Sequence, residues 1–250
     1  MLSAQSDTLS ADTAGSGDSL SAEQPMPMAA DELFDDFFFN FAANGRLQKE
    51  RISFPLLVSA DNHEEHVSAR KWQMDHFFMD QDYYTLIFDS QQQMDEVNDT
   101  TIAEAVVEKI FLEEDRVQQY LFSRKTGRWM LYEIRQQALQ RNANAPFLAF
   151  YKHFVSDSLF QRESLAEQMM FSGPDPDDDF QQIEGVITPE FWDAFAPELP
   201  AKMLYNIVYG QQHAPAHQKI LVLRGIANGL EVEITFQLKH GRWKLTKLIT

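Results

Sequence analysis

The sequence contains no cysteine, so disulfides, thiolate metal centres and cysteine nucleophiles are excluded. Positive charge is scarce: 21 Lys and Arg face 38 Asp and Glu, for a net charge of −17. A surface of that sign repels phosphate backbones and anionic lipid, so nucleic acid is not an expected partner. No apolar run approaches the length of a membrane-spanning helix. Residues 1–29 lack the basic start and apolar core of an export signal. Two locations therefore remain open: the cytoplasm, or the cell envelope if an export signal has been trimmed. A glycine-rich phosphate loop and a GxSxG elbow are also missing, which argues against nucleotide hydrolysis and esterase chemistry.

What the chain does have is aromatic residues: 20 Phe, 7 Tyr and 4 Trp in 250 residues, enough to build real cores. They begin abruptly. Residues 1–29 are dominated by Ser, Ala, Asp, Thr and Gly, a composition that reads as a disordered tether. Beyond them, Phe34, Phe37, Phe38 and Phe41 share one face of a helix. The spacing returns 113 positions later as Phe147, Phe150, Tyr151 and Phe154 (147 − 34 = 113), and Gln48 and Glu50 meet Gln161 and Glu163 at the same offset. Trp72 pairs with Trp192, and Lys125-Thr126-Gly127-Arg128-Trp129 with Lys239-His240-Gly241-Arg242-Trp243. A helix face, a tryptophan, a turn and a final strand recurring in one order indicate an internal duplication.

Each copy opens with helices. Asp31 is the expected cap of the first, Asn44-Gly45 its end, and a second helical stretch is predicted through about Ile52. Pro146 suits a first helical turn. The C-terminal part of each copy reads as strand. Val232, Ile234, Phe236 and Leu238 alternate with Glu231, Glu233, Thr235 and Gln237, and His240-Gly241 then turns the chain back. The expected fold is α+β: two tandem cone-shaped domains at 30–138 and 144–250, each with N-terminal helices packed on a curved antiparallel sheet.

That order of elements resembles the nuclear-transport-factor-2-like, or cystatin-like, superfamily. The Phe-rich opening helix, the Gln48-to-Leu56 run and the two Gly-Arg-Trp hairpins resemble a Bacteroidetes family, domain of unknown function 4348. The resemblance implies an exported, often lipid-anchored envelope protein and transfers no active residues. Folds of this type often hold a cavity between helices and sheet, and some resembling enzymes shift a proton there with a Tyr–Asp pair. Tyr84, Tyr120, Trp192, Tyr205 and Tyr209 are the candidates for lining such cavities, against the plainer reading of aromatic core. Arg224, inside an apolar strand, is either an outward-facing sheet residue or an anchor for an anionic ligand.

Metal chemistry finds little support. In His63-Glu64-Glu65-His66 the second histidine comes one residue too early for HExxH, and the segment reads as a polar loop. His213 and His217 have Pro215 between them, against a shared helix. Asp175, Asp177 and Asp179 start like a calcium loop, but Phe180 and Val186 occupy the positions that require Gly and Glu. No catalytic residue, metal or cofactor is assigned. The expected function is non-enzymatic binding of a small molecule or protein in the envelope. The alternatives are an isomerase or dehydratase using a cone cavity, and a cytosolic assembly module. A monomer with an internal pseudo-dimer is the expected assembly.

Overall fold

The computed structural model describes residues 31–61, 63–175, 178–210 and 216–250. The proposed tether at 1–29 and His213 lie outside them, as do Asp177 and the side chain of Asp179. The first half runs α1 (Phe34–Ala43), α2 (Gly45–Glu50), β1 (Ile52–Ala60), β2 (His63–Val67), β3 (Tyr83–Phe88), α3 (Gln91–Met94), β4 (Glu104–Phe111), β5 (Arg116–Lys125) and β6 (Arg128–Ala138). The second runs α4 (Ala145–Ser156), α5 (Ser158–Glu163), β7 (Leu165–Asp175), β8 (Asp178–Ile187), α6 (Trp192–Phe195), β9 (Met203–Tyr209), β10 (Gln218–Gly225), β11 (Glu231–Lys239) and β12 (Arg242–Ile249).

The local chemistry explains most boundaries. All four stripe phenylalanines of α1 are buried. Asn44 ends α1 and also caps α2, its side chain accepting from the Arg46 and Leu47 amides. Asp157 does the same for α5, accepting from Leu159 and Phe160. Both final hairpins turn through two residues of positive φ, Thr126-Gly127 and His240-Gly241, the geometry that matches the twist of paired strands.

Three local expectations are corrected. Asp31 does not cap α1, whose N-cap is Leu33; it pairs with Arg51 instead. Helix stops at Glu50, because the β-branched and aromatic run from Ile52 joins a sheet. His63–His66 is no loop but part of β2, an exposed edge strand. Trp72 lies in an irregular stretch just after a turn, whereas its counterpart Trp192 opens α6.

The duplication is visible in the strand register. Glu104 opposes Ser123 as Gln218 opposes Gln237, and Arg124 opposes Trp129 as Leu238 opposes Trp243, at a constant offset of 114. Even the bulges coincide, at Leu121/Phe122 and Thr235/Phe236. The sheets are mixed rather than antiparallel throughout, because β1 lies parallel to β6 and β7 parallel to β12.

One connection departs from two self-contained tandem units. The six-stranded sheets have the orders β2-β1-β6-β5-β4-β9 and β3-β10-β11-β12-β7-β8. Each sheet is thus completed by one strand from the other half: β9 pairs with β4, and β3 with β10. The exchanged strands also touch. The Thr85 hydroxyl donates to the Tyr205 carbonyl at 2.7 Å and accepts from the Tyr205 amide at 2.8 Å. Two cores result. Phe34, Phe37, Phe38 and Phe41 lie in one, together with Tyr205, Ile207 and Tyr209 of the exchanged β9. Phe147, Tyr151 and Phe154 lie in the other, with Phe236 and Ile87.

Candidate functional site

The six side chains nominated from the sequence fall into three places. Tyr120 and Tyr205 flank a cluster in the first half. The Asp75 carboxylate accepts from the Lys109 ammonium at 2.7 and 2.8 Å, from the Tyr120 hydroxyl at 2.5 Å and from the Phe77 amide at 2.8 Å. Lys109 also lies over the rings of Phe77 and Tyr120. Burial first, and the Asp75 charge second, push the Tyr120 hydroxyl far above the usual phenol range, so it is held protonated as a donor. Gln48 carries the backbone of Asp75, donating to its carbonyl at 2.6 Å and accepting from its amide. The four acceptor contacts on Asp75 make this a tie within the fold, beside a cone filled by phenylalanine.

Tyr84, Tyr209 and Arg224 meet around Asp35, where α1 begins. The Tyr209 hydroxyl donates to Asp35 at 2.7 Å, across 174 positions of sequence. Burial raises the Asp35 carboxyl to about 6, even though Tyr209 and Arg224 favour its charged form. Tyr84 is pushed up to about 12, chiefly by burial and then by the Asp35 charge, with the Arg224 guanidinium acting in the opposite sense. Arg224 also faces Glu231 at 3.4 Å. It is half-buried between the halves of the molecule, neither a freely solvated sheet residue nor the lining of a large cavity.

Trp192 stands apart. It is fully buried in the second core, its indole donating to Gln161 at 3.2 Å. Trp72 donates to Gln48 at the same 3.2 Å, so this tie is inherited in both halves.

A cavity of about 820 Å³ lies elsewhere and is lined by none of the six. It opens in the second half between the start of α4, the end of α5 and the β11–β12 hairpin, with walls from Phe147, Phe150, Phe160 and Trp243. A smaller recess of about 310 Å³ is bordered by Tyr84 and Tyr205. The corresponding region of the first half explains the cavity. There, Arg51 grips both oxygens of Asp31 at 2.8 and 2.7 Å, and both side chains are over nine-tenths buried. Arg124 donates to the Glu32 carbonyl at 2.9 Å and lies over Trp129. The same positions in the second half are Ser164, Leu238 and Asn144 (51 + 113, 124 + 114, 31 + 113). Two guanidinium side chains have become a hydroxymethyl and an isobutyl group. Trp129 is consequently sealed, whereas Trp243 remains partly open.

Cations sit around this opening. Lys219 is buried on β10, bonded to Asp89 and, at 2.5 Å, to the Asn144 side chain. Lys244 donates to the backbone carbonyls of Glu163 and Leu165. Their first-half counterparts, at the 114 offset, are Ala105 and Met130. Composition and periodicity give no hint of this arrangement. Aligning the two halves and reading the mismatches would have shown it. Among the described residues, no group of three or more His, Asp or Glu could hold a metal ion. No described helix is long and apolar enough to cross a membrane.

Helices laid in curved mixed sheets, with a cavity at the mouth of one cone, define a nuclear-transport-factor-2-like protein in two interlocked copies. A solved nuclear-transport-factor-2-like protein from Bacteroides fragilis is similar to it, with 41% identity and a TM-score of 0.80 over 90% of this chain and 98% of that one. The chain belongs to the family described as Domain of unknown function (DUF4348), which matches residues 13–250. Comparison with curated proteins gave no match.

Proposed function

We propose that this protein binds a small molecule with an apolar body in the cavity of its second half and holds it without transforming it. The observation that carries this reading is the cavity itself: about 820 Å³, aromatic-walled, opened by the loss of two arginines that fill the equivalent space in the first half. That volume lies within the range of small-molecule sites. The Tyr120–Asp75 and Tyr209–Asp35 pairs, the groups best suited to proton transfer, lie away from the cavity and are engaged in ties within the fold. The composition of residues 1–29 and the family resemblance support placing this binding in the cell envelope, which fractionation of the native cells checks.

The test uses a neutral naphthylamine dye whose emission rises in apolar surroundings. The full chain is expected to bind it at one site. Leu238→Trp, which fills the cavity from its own wall, is expected to weaken binding at least about tenfold. Dye binding unchanged by that substitution, with folding intact by circular dichroism, would refute the reading.

A further inference from the structure

We infer that the cavity of the second half takes an amphipathic monoanion, a carboxylate with an aliphatic tail, whose head group replaces an acid that this half has lost. The inference rests on the binding reading above and adds the chemistry of the ligand.

The first half shows what this aromatic frame accommodates. Beside Trp129, the counterpart of Trp243, it holds a carboxylate: Asp31, which faces the Trp129 amide at 3.5 Å and is gripped at two points by Arg51, itself over the ring of Phe37, the counterpart of Phe150. In the second half that acid is the neutral Asn144. Removing a carboxylate from such a setting normally calls for removing its cation, because a desolvated charge left alone is costly. Arg51 and Arg124 are indeed gone. Yet Lys219 and Lys244 have appeared where the first half has Ala105 and Met130, and Arg242 is retained from Arg128.

The charges lining the cavity then do not balance. Lys219 is answered by Asp89. Among the described residues, Lys244 meets only backbone carbonyls and Arg242 has no ion pair. Among the described lining residues Glu163 is the one acid, against the two remaining cations, Arg242 and Lys244. On a chain of net charge −17, this is a local reversal of sign beside an apolar hollow. A ligand that fills the hollow and supplies one negative charge matches both features. A neutral ligand would leave the cations unanswered, and a cation would meet the wrong sign.

Calorimetric titrations of the full chain with decanoate, decanol and decyltrimethylammonium separate the possibilities. Decanoate is expected to bind about tenfold more tightly than decanol, and the cation not measurably. The double variant Arg242→Gln/Lys244→Gln is expected to lose the preference for decanoate over decanol. Equal affinity for decanoate and decanol would overturn the monoanion and leave the binding reading in place. A preference that survives in the double variant would also overturn it, since the charge would then be read elsewhere. Decanoate and decanol binding that is indifferent to Leu238→Trp would remove the cavity as the site and both readings with it.

Discussion

The first and second halves of this protein share an offset, a register and even the position of a bulge, yet one is closed where the other is open. Closure is not free of cost. Sealing the first half leaves the Trp129 indole N–H and the Arg51 Nε buried without partners among the described residues, and each such group costs on the order of 1–3 kcal/mol. The buried Asp31–Arg51 pair has to offset its own desolvation through its two-point geometry. The second half discards that arrangement and keeps the aromatic frame. Divergence after duplication has thus acted on polar side chains at the cone mouth and left the packing stripe of each opening helix intact.

The largest expected effect comes from breaking the closed half. Arg51→Ser, which copies the second half's residue, strands the Asp31 carboxylate in a buried site. It is expected to destabilise the fold by about 3–5 kcal/mol in denaturant unfolding. Changing all three positions together, Asp31→Asn, Arg51→Ser and Arg124→Leu, removes the stranded charge and is expected to recover part of that loss. The triple variant is also expected to bind the naphthylamine dye at two sites rather than one. A triple variant as unstable as Arg51→Ser, or one still limited to a single dye site, would break the comparison.

A second prediction concerns what joins the halves. Glu108, 1% exposed, accepts from Gln119 at 2.9 Å, Asn142 at 2.7 Å and Asn206 at 2.9 Å. Asn206 in turn accepts from the Ile87 amide of the exchanged β3. One carboxylate therefore ties β4, β5, the connector and both exchanged strands, using amide donors alone. Glu108→Gln turns one acceptor into a donor facing another donor. We expect a loss of about 2–3 kcal/mol, with fluorescence and circular dichroism transitions remaining superimposed because the sheets share strands. Separate transitions for the two halves would contradict the coupling.

The smallest expected effect is at Asp35, raised to about 6 by burial. A carboxyl raised in the folded state holds its proton longer there than in the unfolded chain. Its contribution therefore favours the fold below the ordinary carboxylate range and is lost as pH rises to about 6. Asp35→Asn keeps an acceptor for Tyr209 and removes the ionisation. It is expected to stabilise the protein by about 1–2 kcal/mol at neutral pH and to flatten the stability profile between about pH 4 and 6. An unchanged profile would show that Asp35 titrates normally.

Several features of the fold were legible because local chemistry enforces them. The Phe34 and Phe147 stripes can bury themselves only as helices against a sheet, and Thr126-Gly127 and His240-Gly241 adopt backbone angles that suit hairpin turns. The five nominated aromatics were legible as core, whereas the half-buried place of Arg224 matched neither reading of it. Which side chains meet was not legible. Tyr209 reaches Asp35, and Tyr120 reaches Asp75, only through the sheet that brings them together.

By itself, the sequence determined that there are two copies, that each is α+β, and which residues form its core, since alternation and helical spacing are properties of neighbouring positions. Only the tertiary structure decided that the copies exchange β3 and β9, because an apolar strand satisfies its own sheet's edge or its twin's with the same pattern of side chains. It also decided which half is open. A cavity is volume left unfilled by residues distant in the chain, and Ser164 and Leu238 mean little until they stand where two arginines stand in the other half.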